Sequence, residues 1–445
     1  MIRTLYDPTC GTGGFLTDAM NHVGDYGNRD KIPPVLVPHG QELEPETHAV
    51  CVAGMLIRRL ESDPGRDLSK NIRQGSTLSN DQFAGERFHY CLSNPPFGKK
   101  WEKDKTAVEA EHKKGELGRF GPGLPKISDG SMLFLMHLAS KLELPINGGG
   151  RAAIVLSGSP LFNGGAASGE SEIRRWLLED DLIEAIVALP TDLFFRTNIA
   201  TYLWILSNKK PQERKGKVQL INATDLWTSI RNEGNKRRIV SDEQRRQILD
   251  IYAAGETGAL SRMLDYRTFG YRRIRVLRPL RMTLELDKVG MERLEAEAAE
   301  KLSDAHQTFW REALKPLIGQ TQPYSWAETF VSNSIKSDEA KQLKVKSNKT
   351  LITALINAFG HKDPKAEPVT DSNGELVPDT DLTDYENVPY LEDIDDYFAR
   401  EVLPHVPDAW LDESFTDAGW SIGPRWLRDQ LQPLLLPVPA AAQAA

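Results

Sequence analysis

Residues 7–16 read DPTCGTGGFL and follow directly on the short run IRTLY at 2–6, the pattern of a strand that runs into a glycine-rich turn and then a helix. Gly11, Gly13 and Gly14 carry no Cβ, so the backbone can take positive φ and a ligand can approach the N–H groups that open the helix. Such a loop at the carboxyl end of a first strand predicts a nucleotide-type cofactor site. It comprises Asp7, Pro8, Thr9, Cys10, Gly11, Thr12, Gly13, Gly14 and Phe15. A dinucleotide loop would read G-x-G-x-x-G, whereas Phe15 and Leu16 follow Gly14, and no P-loop lysine is present. The alternative is a tight strand-to-helix turn with no ligand.

Outward from this loop, the spacing predicts a helix from 13 to about 22 and a second strand over 35–43. That strand ends in Gln41-Glu42-Leu43-Glu44-Pro45. An acid at the end of the second strand of such a sheet accepts hydrogen bonds from both ribose hydroxyls, which makes Glu42 a candidate. Pro45 suits the first turn of a helix over 46–60, and Glu44 reads as an acid at that helix's N-terminus. A third short strand, 71–74, leads into Gly75-Ser76.

The fourth strand, 88–93, delivers Asn94-Pro95-Pro96-Phe97. An exocyclic amine on adenine or cytosine is a poor nucleophile, because its lone pair is delocalised into the ring. The Asn94 side-chain carbonyl and the Pro95 backbone carbonyl can each accept one N–H bond and hold the amine in line with a methyl donor. Pro95 and Pro96 stiffen the turn, and Phe97 would stack on a base rotated out of the duplex. Taken alone the tetrapeptide also fits a rigid loop with a buried Phe. The glycine loop and the acidic strand end before it select the catalytic reading.

Beyond lies a Lys- and Gly-rich stretch, 98–130, expected to be an irregular loop: a lid over DNA or a solvated segment. A buried helix over 131–144, a fifth strand over 151–156, a helix over 171–178 and strands over 182–189 and 200–207 follow. Strands separated by helices predict an α/β fold with a doubly wound, mostly parallel sheet, and the last hairpin should add an antiparallel edge. The expected division is a catalytic domain at 1–210, a connecting region at 211–285 and a mainly helical, acidic region at 286–445. Seven arginines between Arg262 and Arg281, interleaved with Tyr266, Phe269 and Tyr271, predict a subunit contact or a nucleic-acid surface. Twelve acids against one lysine over 363–396 read as a solvated linker or loop.

The net charge of −8 argues against a protein that grips DNA by bulk electrostatics. No run approaches the roughly 20 apolar residues of a membrane helix, and no signal peptide is evident, so no membrane association and a cytoplasmic location are expected. Cys10, Cys51 and Cys91 lack metal-ligand spacing, and none follows a proline. No structural metal is expected, and cytosine-C5 methylation, which needs a nucleophilic thiol, is disfavoured.

DPTCGTGGF resembles motif I of the amino-methylating DNA methyltransferases. Together with NPPF, DGSMLFLMHL, GGRAAIVLSGSPLF and PTDLFFRTNIATYLWIL, and with the segments at 266–281 and 386–412, the chain resembles the modification subunit of type I restriction-modification systems. The resemblance implies S-adenosylmethionine as cofactor and adenine N6 in duplex DNA as target. It further implies assembly with a specificity subunit, a restriction subunit and a second modification subunit. Thr12, Gly13, Gly14 and Glu42 would hold the cofactor and residues 94–97 the base. Ser76 stands where relatives carry an acid that bonds the cofactor's adenine amino group, so it is either a weak cofactor contact or a loop residue. Phe194 or Phe195 is a second aromatic wall or a core residue. Against the family pattern, the chain starts at the first strand without the expected helical domain, and from 424 its end is rich in Leu, Pro and Ala. A truncated or divergent member, inactive on DNA by itself, is therefore expected. The other readings are an amide or RNA N-methyltransferase and a non-catalytic assembly subunit or remnant.

Overall fold

The computed structural model describes residues 2–27, 35–58, 65, 67–194, 198–233, 236–299, 303–345 and 349–422. Phe195 and the end at 424–445 lie outside them. The chain divides into two units, one of 1–273, 387–392 and 417–445, the other of 274–386 and 393–416.

The first unit opens with β1 (Ile2–Asp7), α1 (Gly14–Gly27), β2 (Val35–Glu42), α2 (Pro45–Ile57), β3 (Ile72–Gln74) and β4 (Tyr90–Ser93). Then come α3 (Lys105–His112), α4 (Ser131–Ser140), β5 (Arg151–Ser157), α5 (Ser159–Phe162), α6 (Gly169–Glu179), β6 (Ile183–Ala188) and β7 (Thr201–Ser207). β8 (Lys217–Asn222), the hairpin β9 (Thr228–Glu233) and β10 (Lys236–Ile239), α7 (Asp242–Ala254) and β11 (Ser261–Asp265) follow. Nine strands form one sheet in the order β11-β8-β6-β7-β5-β4-β1-β2-β3. β1 pairs in parallel with both β2 and β4. The chain leaves β1 toward β2 and β3, then restarts on its other side at β4. The sheet therefore has its topological switch point between β1 and β4, where α/β sheets bind ligands.

β6 and β7 do form an antiparallel pair, yet β7 lies inside the sheet, hydrogen-bonded to β5 on its other side. β8 adds in parallel to β6 and β11 closes the edge antiparallel to β8, so the sheet continues past the boundary expected at 210. The reason is solvation: β6 is buried along its whole length and needs a strand on each flank.

Leu16 of α1 and Cys51 and Met55 of α2 cover one face with Leu5, Leu36 and Val37. On the other face α4 is buried from Ser131 to Leu138, because the helix is apolar on nearly every side. The 98–130 stretch corrects the expectation of an irregular lid or solvated loop. It contains α3, and Trp101, Val108 and Phe120 are fully buried in the same core as α4. Arg119 anchors it by donating to the Thr77 carbonyl (2.7 Å) and to His137 Nδ1 (2.9 Å). A guanidinium cannot accept, so Nδ1 carries the lone pair. Burial and Arg119 push the His137 pKa well down, so the ring is neutral and its Nε2–H donates to the Tyr6 hydroxyl at 3.1 Å.

Trp420 and Ile422, far along the chain, also enter this core. The Arg174 guanidinium, buried itself, donates to the Trp420 carbonyl, and the Ser171 hydroxyl accepts from the Trp420 N–H at 2.8 Å.

In the second unit, strand Met282–Glu285 pairs antiparallel with Thr321–Pro323 and Gly360–Lys362. Helices Lys288–Ala299, Asp304–Leu314, Trp326–Ser334 and Lys349–Phe359 build a core around Leu284, Trp310, Leu355 and Phe359. The acidic 363–396 stretch is mostly exposed and mostly loop, as expected, although within it Asp379 is buried and receives Lys362 at 2.5 Å. Three of the arginines at 262–281 meet acids of this same unit. Arg275 meets Asp412 at 2.9 Å, and Arg278 and Arg281 share Asp408 at 3.4 and 3.2 Å. Among the described residues no helix is long and apolar enough to cross a membrane.

Candidate active site

β1 ends on Asp7, whose side chain is 2 % exposed and accepts from the Thr9 N–H at 3.0 Å. Burial pushes its carboxyl up to about 7, and the neighbouring Glu42 charge adds to the rise. The Thr9 hydroxyl meets the Ser93 hydroxyl at 2.8 Å, tying the glycine loop to the last residue of β4. The Thr77 hydroxyl donates to the Pro8 carbonyl from the other side.

Two glycines of the loop are required by conformation, Gly11 at φ +54° and Gly13 at φ +86°. A Cβ on Gly13 would also stand 2.8 Å from Cys51 Sγ, so α1 and α2 approach only because the position is bare. A Cβ on Gly14 would meet nothing within 4 Å, and Thr12, Gly14 and Phe15 are exposed. Gly14 therefore opens outward and leaves room for a ligand over the loop. Cys10 is buried beneath it, its N–H bonded to the Gln41 carbonyl at 3.0 Å and its Sγ 3.9 Å from Cys51 Sγ.

Glu42 ends β2 as the sequence predicts. Its carboxylate reaches back to the loop: Oε2 accepts from the Gly11 N–H at 2.8 Å and Oε1 from the Glu44 N–H at 3.0 Å. A carboxylate oxygen accepts more than one bond, so both retain capacity for hydroxyl donors. Glu44 is the exposed N-cap of α2 and its side chain makes no cap bond. Ser76 follows β3, and its hydroxyl donates to Asp104 Oδ1 at 2.7 Å.

Asn94 follows β4 directly. Its Oδ1 is buried and, among the described residues, has no hydrogen-bond partner. A buried carbonyl left unpaired costs about 1–3 kcal/mol, so native proteins keep few of them, and those few call for an explanation. Pro95 is buried, Pro96 exposed and Phe97 half-buried. The Phe97 ring stands edge-to-face with Phe194, centroids 6.3 Å apart at 71°. Of the two aromatics named after Pro190, Phe194 is thus the one the described residues bring to Phe97, from the loop between β6 and β7. Asp104 had no sequence signal, because it sits in a stretch whose charge and glycine content mimic a loop. A separate polar groove of about 1120 Å3, lined by Asp81, Arg119, Glu172 and Arg175 among others, contains none of the predicted site residues.

The glycine loop, the strand-end acid and the Asn-Pro-Pro-Phe turn therefore stand at neighbouring carboxyl ends of β1, β2 and β4, around the switch point. Residues 2–265 match the family described as N-6 DNA Methylase. Among curated proteins, the chain is 28 % identical over 256 residues to the type I restriction enzyme MjaIX methylase subunit of Methanocaldococcus jannaschii, covering 57 % of this chain and 42 % of the relative. It is 26 % identical over 267 residues to the EcoKI methylase subunit of Escherichia coli, covering 58 % and 46 %. Among solved structures, the methyltransferase subunit of a type I restriction-modification system from Streptococcus thermophilus matches with a TM-score of 0.48 at 27 % identity, over 60 % of this chain and 51 % of that one. The chain spans somewhat less than half the length of the two curated relatives. With the family matched over more than half of its residues, this chain belongs to the N-6 DNA methylases.

Proposed function

We propose that this chain transfers the methyl group of S-adenosylmethionine to N6 of adenine in duplex DNA, acting in the cytoplasm as the modification subunit of a type I restriction-modification assembly. The observation that carries this reading is the buried Oδ1 of Asn94 at the switch point, unpartnered among the described residues, beside the Phe97–Phe194 pair. It is an acceptor already desolvated, so an amine N–H that reaches it gains a full-strength hydrogen bond without displacing water. The second N–H of the amine is assigned to the Pro95 carbonyl. With both N–H bonds engaged the nitrogen turns its lone pair toward the donor, and Pro95 and Pro96 keep the two acceptors fixed. Phe97 and Phe194 hold the extruded base.

The residues present fit the cofactor. Gly11 and Gly13 supply the positive-φ turn, Gly14 leaves space above it, and Glu42 offers both carboxylate oxygens to vicinal hydroxyls. When bound, S-adenosylmethionine supplies the electrophilic methyl group. The chain's own net charge of −8 and the in-chain pairing of its Arg-rich segment favour assignment of DNA reading to a specificity subunit, with a second modification subunit and a restriction subunit completing the assembly. The relatives' names, methylase subunits of type I restriction enzymes, support the same assignment.

The test is co-expression with a specificity subunit and tritium transfer from labelled cofactor to DNA. Asn94→Ala should abolish transfer and leave the cofactor dissociation constant unchanged. Turnover kept within about tenfold of wild type would refute the assignment of Asn94.

A further inference from the structure

Asp104 precedes α3 at its N-cap position, yet its side chain makes no cap bond. It turns instead to the end of β3. Ser76 and Ser79 both direct their hydroxyl protons to its Oδ1, and among the described residues Oδ2 has no hydrogen bond and no cation at ion-pair distance. Each hydroxyl has one proton, so both are spent on Oδ1. The result is a half-buried carboxylate clamped at one oxygen and open at the other.

Its position follows from the sheet. β2 and β3 run parallel, with Glu42 opposite Gln74, and the Gly75 N–H donates to the Glu42 carbonyl at 2.9 Å. The Gln41 side chain holds the same turn through the carbonyls of Gly75 (3.1 Å) and Asn80 (2.9 Å). A nucleoside whose ribose is taken by Glu42, and whose other substituent lies over the glycine loop toward β1 and β4, must project its base the opposite way, over the end of β3. That is where Ser76 and Asp104 stand.

We propose that Asp104, clamped by Ser76 and Ser79, is the acceptor that selects the 6-amino group of the cofactor's adenine. The inference rests on the reading of this site as a nucleoside-cofactor site and adds to it a residue from another segment of the chain. The Ser76 oxygen, its proton given to Asp104, can still accept, but it is neutral and already takes the Ser79 N–H at 3.4 Å. A carboxylate oxygen takes the amino N–H through a charge-assisted bond and offers nothing to a 6-oxo group. Ser76 thus acts as a positioning residue and Asp104 as the specificity residue.

The test is binding of S-adenosylhomocysteine and S-inosylhomocysteine to the full chain by titration calorimetry. The two ligands differ at the purine 6 position, amino in one and oxo in the other. Wild type should favour the adenosyl ligand by about tenfold or more. Asp104→Asn keeps an oxygen for the two serines and replaces the open oxygen by an N–H2 donor, so the preference should fall to about parity or reverse. Asp104→Ala, a second variant with no clamp to preserve, should lose the preference without reversing it. Retention of the wild-type preference in both variants overturns this proposal and leaves the cofactor site standing. Failure of wild type to bind either ligand overturns the cofactor site itself, and this proposal with it.

Discussion

Replacing Asp7 by Asn should flatten a pH dependence of stability that the wild-type chain carries. The Asp7 carboxyl is 2 % exposed at the end of β1, and burial lifts it from 3.8 to about 7. Between roughly pH 4 and 7 the folded chain keeps a proton that the unfolded chain has released, and stability falls with rising pH wherever the native state binds more protons. The sign is therefore fixed. The favourable contribution is whole below about pH 4 and is lost as the pH rises through 7. A gap of about three pH units at ~1.4 kcal/mol each gives a ceiling of roughly 4 kcal/mol. Asn keeps the acceptor for the Thr9 N–H and has no charge to bury. Its N–H2 left unpaired takes back about 1–3 kcal/mol, but that cost does not vary with pH, so the slope is the quantity to read. Urea denaturation of both proteins from pH 4 to 8, plotted as the difference between them, cancels the other titrating groups. The variant should gain on wild type by on the order of 2–4 kcal/mol across that range. A difference that stays level from pH 4 to 8 would refute the claim that Asp7 is held protonated in the fold.

Glu42→Ala should weaken S-adenosylhomocysteine binding by about 1–3 kcal/mol, through loss of charge-assisted bonds to the ribose and release of the Gly11 N–H. Calorimetry reads it, and an unchanged constant moves the ribose contact elsewhere, Glu44 first. Phe194→Ala, in complex with a specificity subunit, should cut methyl transfer roughly tenfold or more while sparing cofactor affinity, since base–aromatic stacking is worth ~1–3 kcal/mol. Equal rates on normal and abasic-flanked targets, with no loss against wild type, would remove Phe194 from the base pocket. Gly13→Ala should destabilise the chain by on the order of 2–4 kcal/mol, from its positive φ and the approach to Cys51 Sγ. Adding Cys51→Ala should restore only the packing part, and full recovery in the double variant would show that the φ strain is absent.

The residues of the candidate site were legible in the sequence because each obeys a local rule. Gly11 and Gly13 are demanded by a turn only glycine makes cheaply, Glu42 by its place at the end of the second strand, and Asn94 to Phe97 by a tetrapeptide whose chemistry is complete in four positions. The parallel, doubly wound character of the early strands followed from the alternation of strands with helices, whereas their order came from the fold. Three further features were settled only by the folded molecule, and for one reason: they depend on what a residue meets from a distant part of the chain. Residues 98–130 look like a solvated loop by composition, yet Trp101, Val108 and Phe120 find a core face that α4 provides. The arginines at 275, 278 and 281 read as a run of positive charge, and only the fold sets two acids beside the three, Asp408 and Asp412, more than a hundred residues later. Ser76 reads as a lone hydroxyl, and only the turn of the chain through residues 98–104 sets Asp104 against it. Local sequence therefore determined which chemistry is present at the ends of β1, β2 and β4. Long-range contact, whose entropic cost is repaid only when the whole core closes, decided which side chains stand beside it.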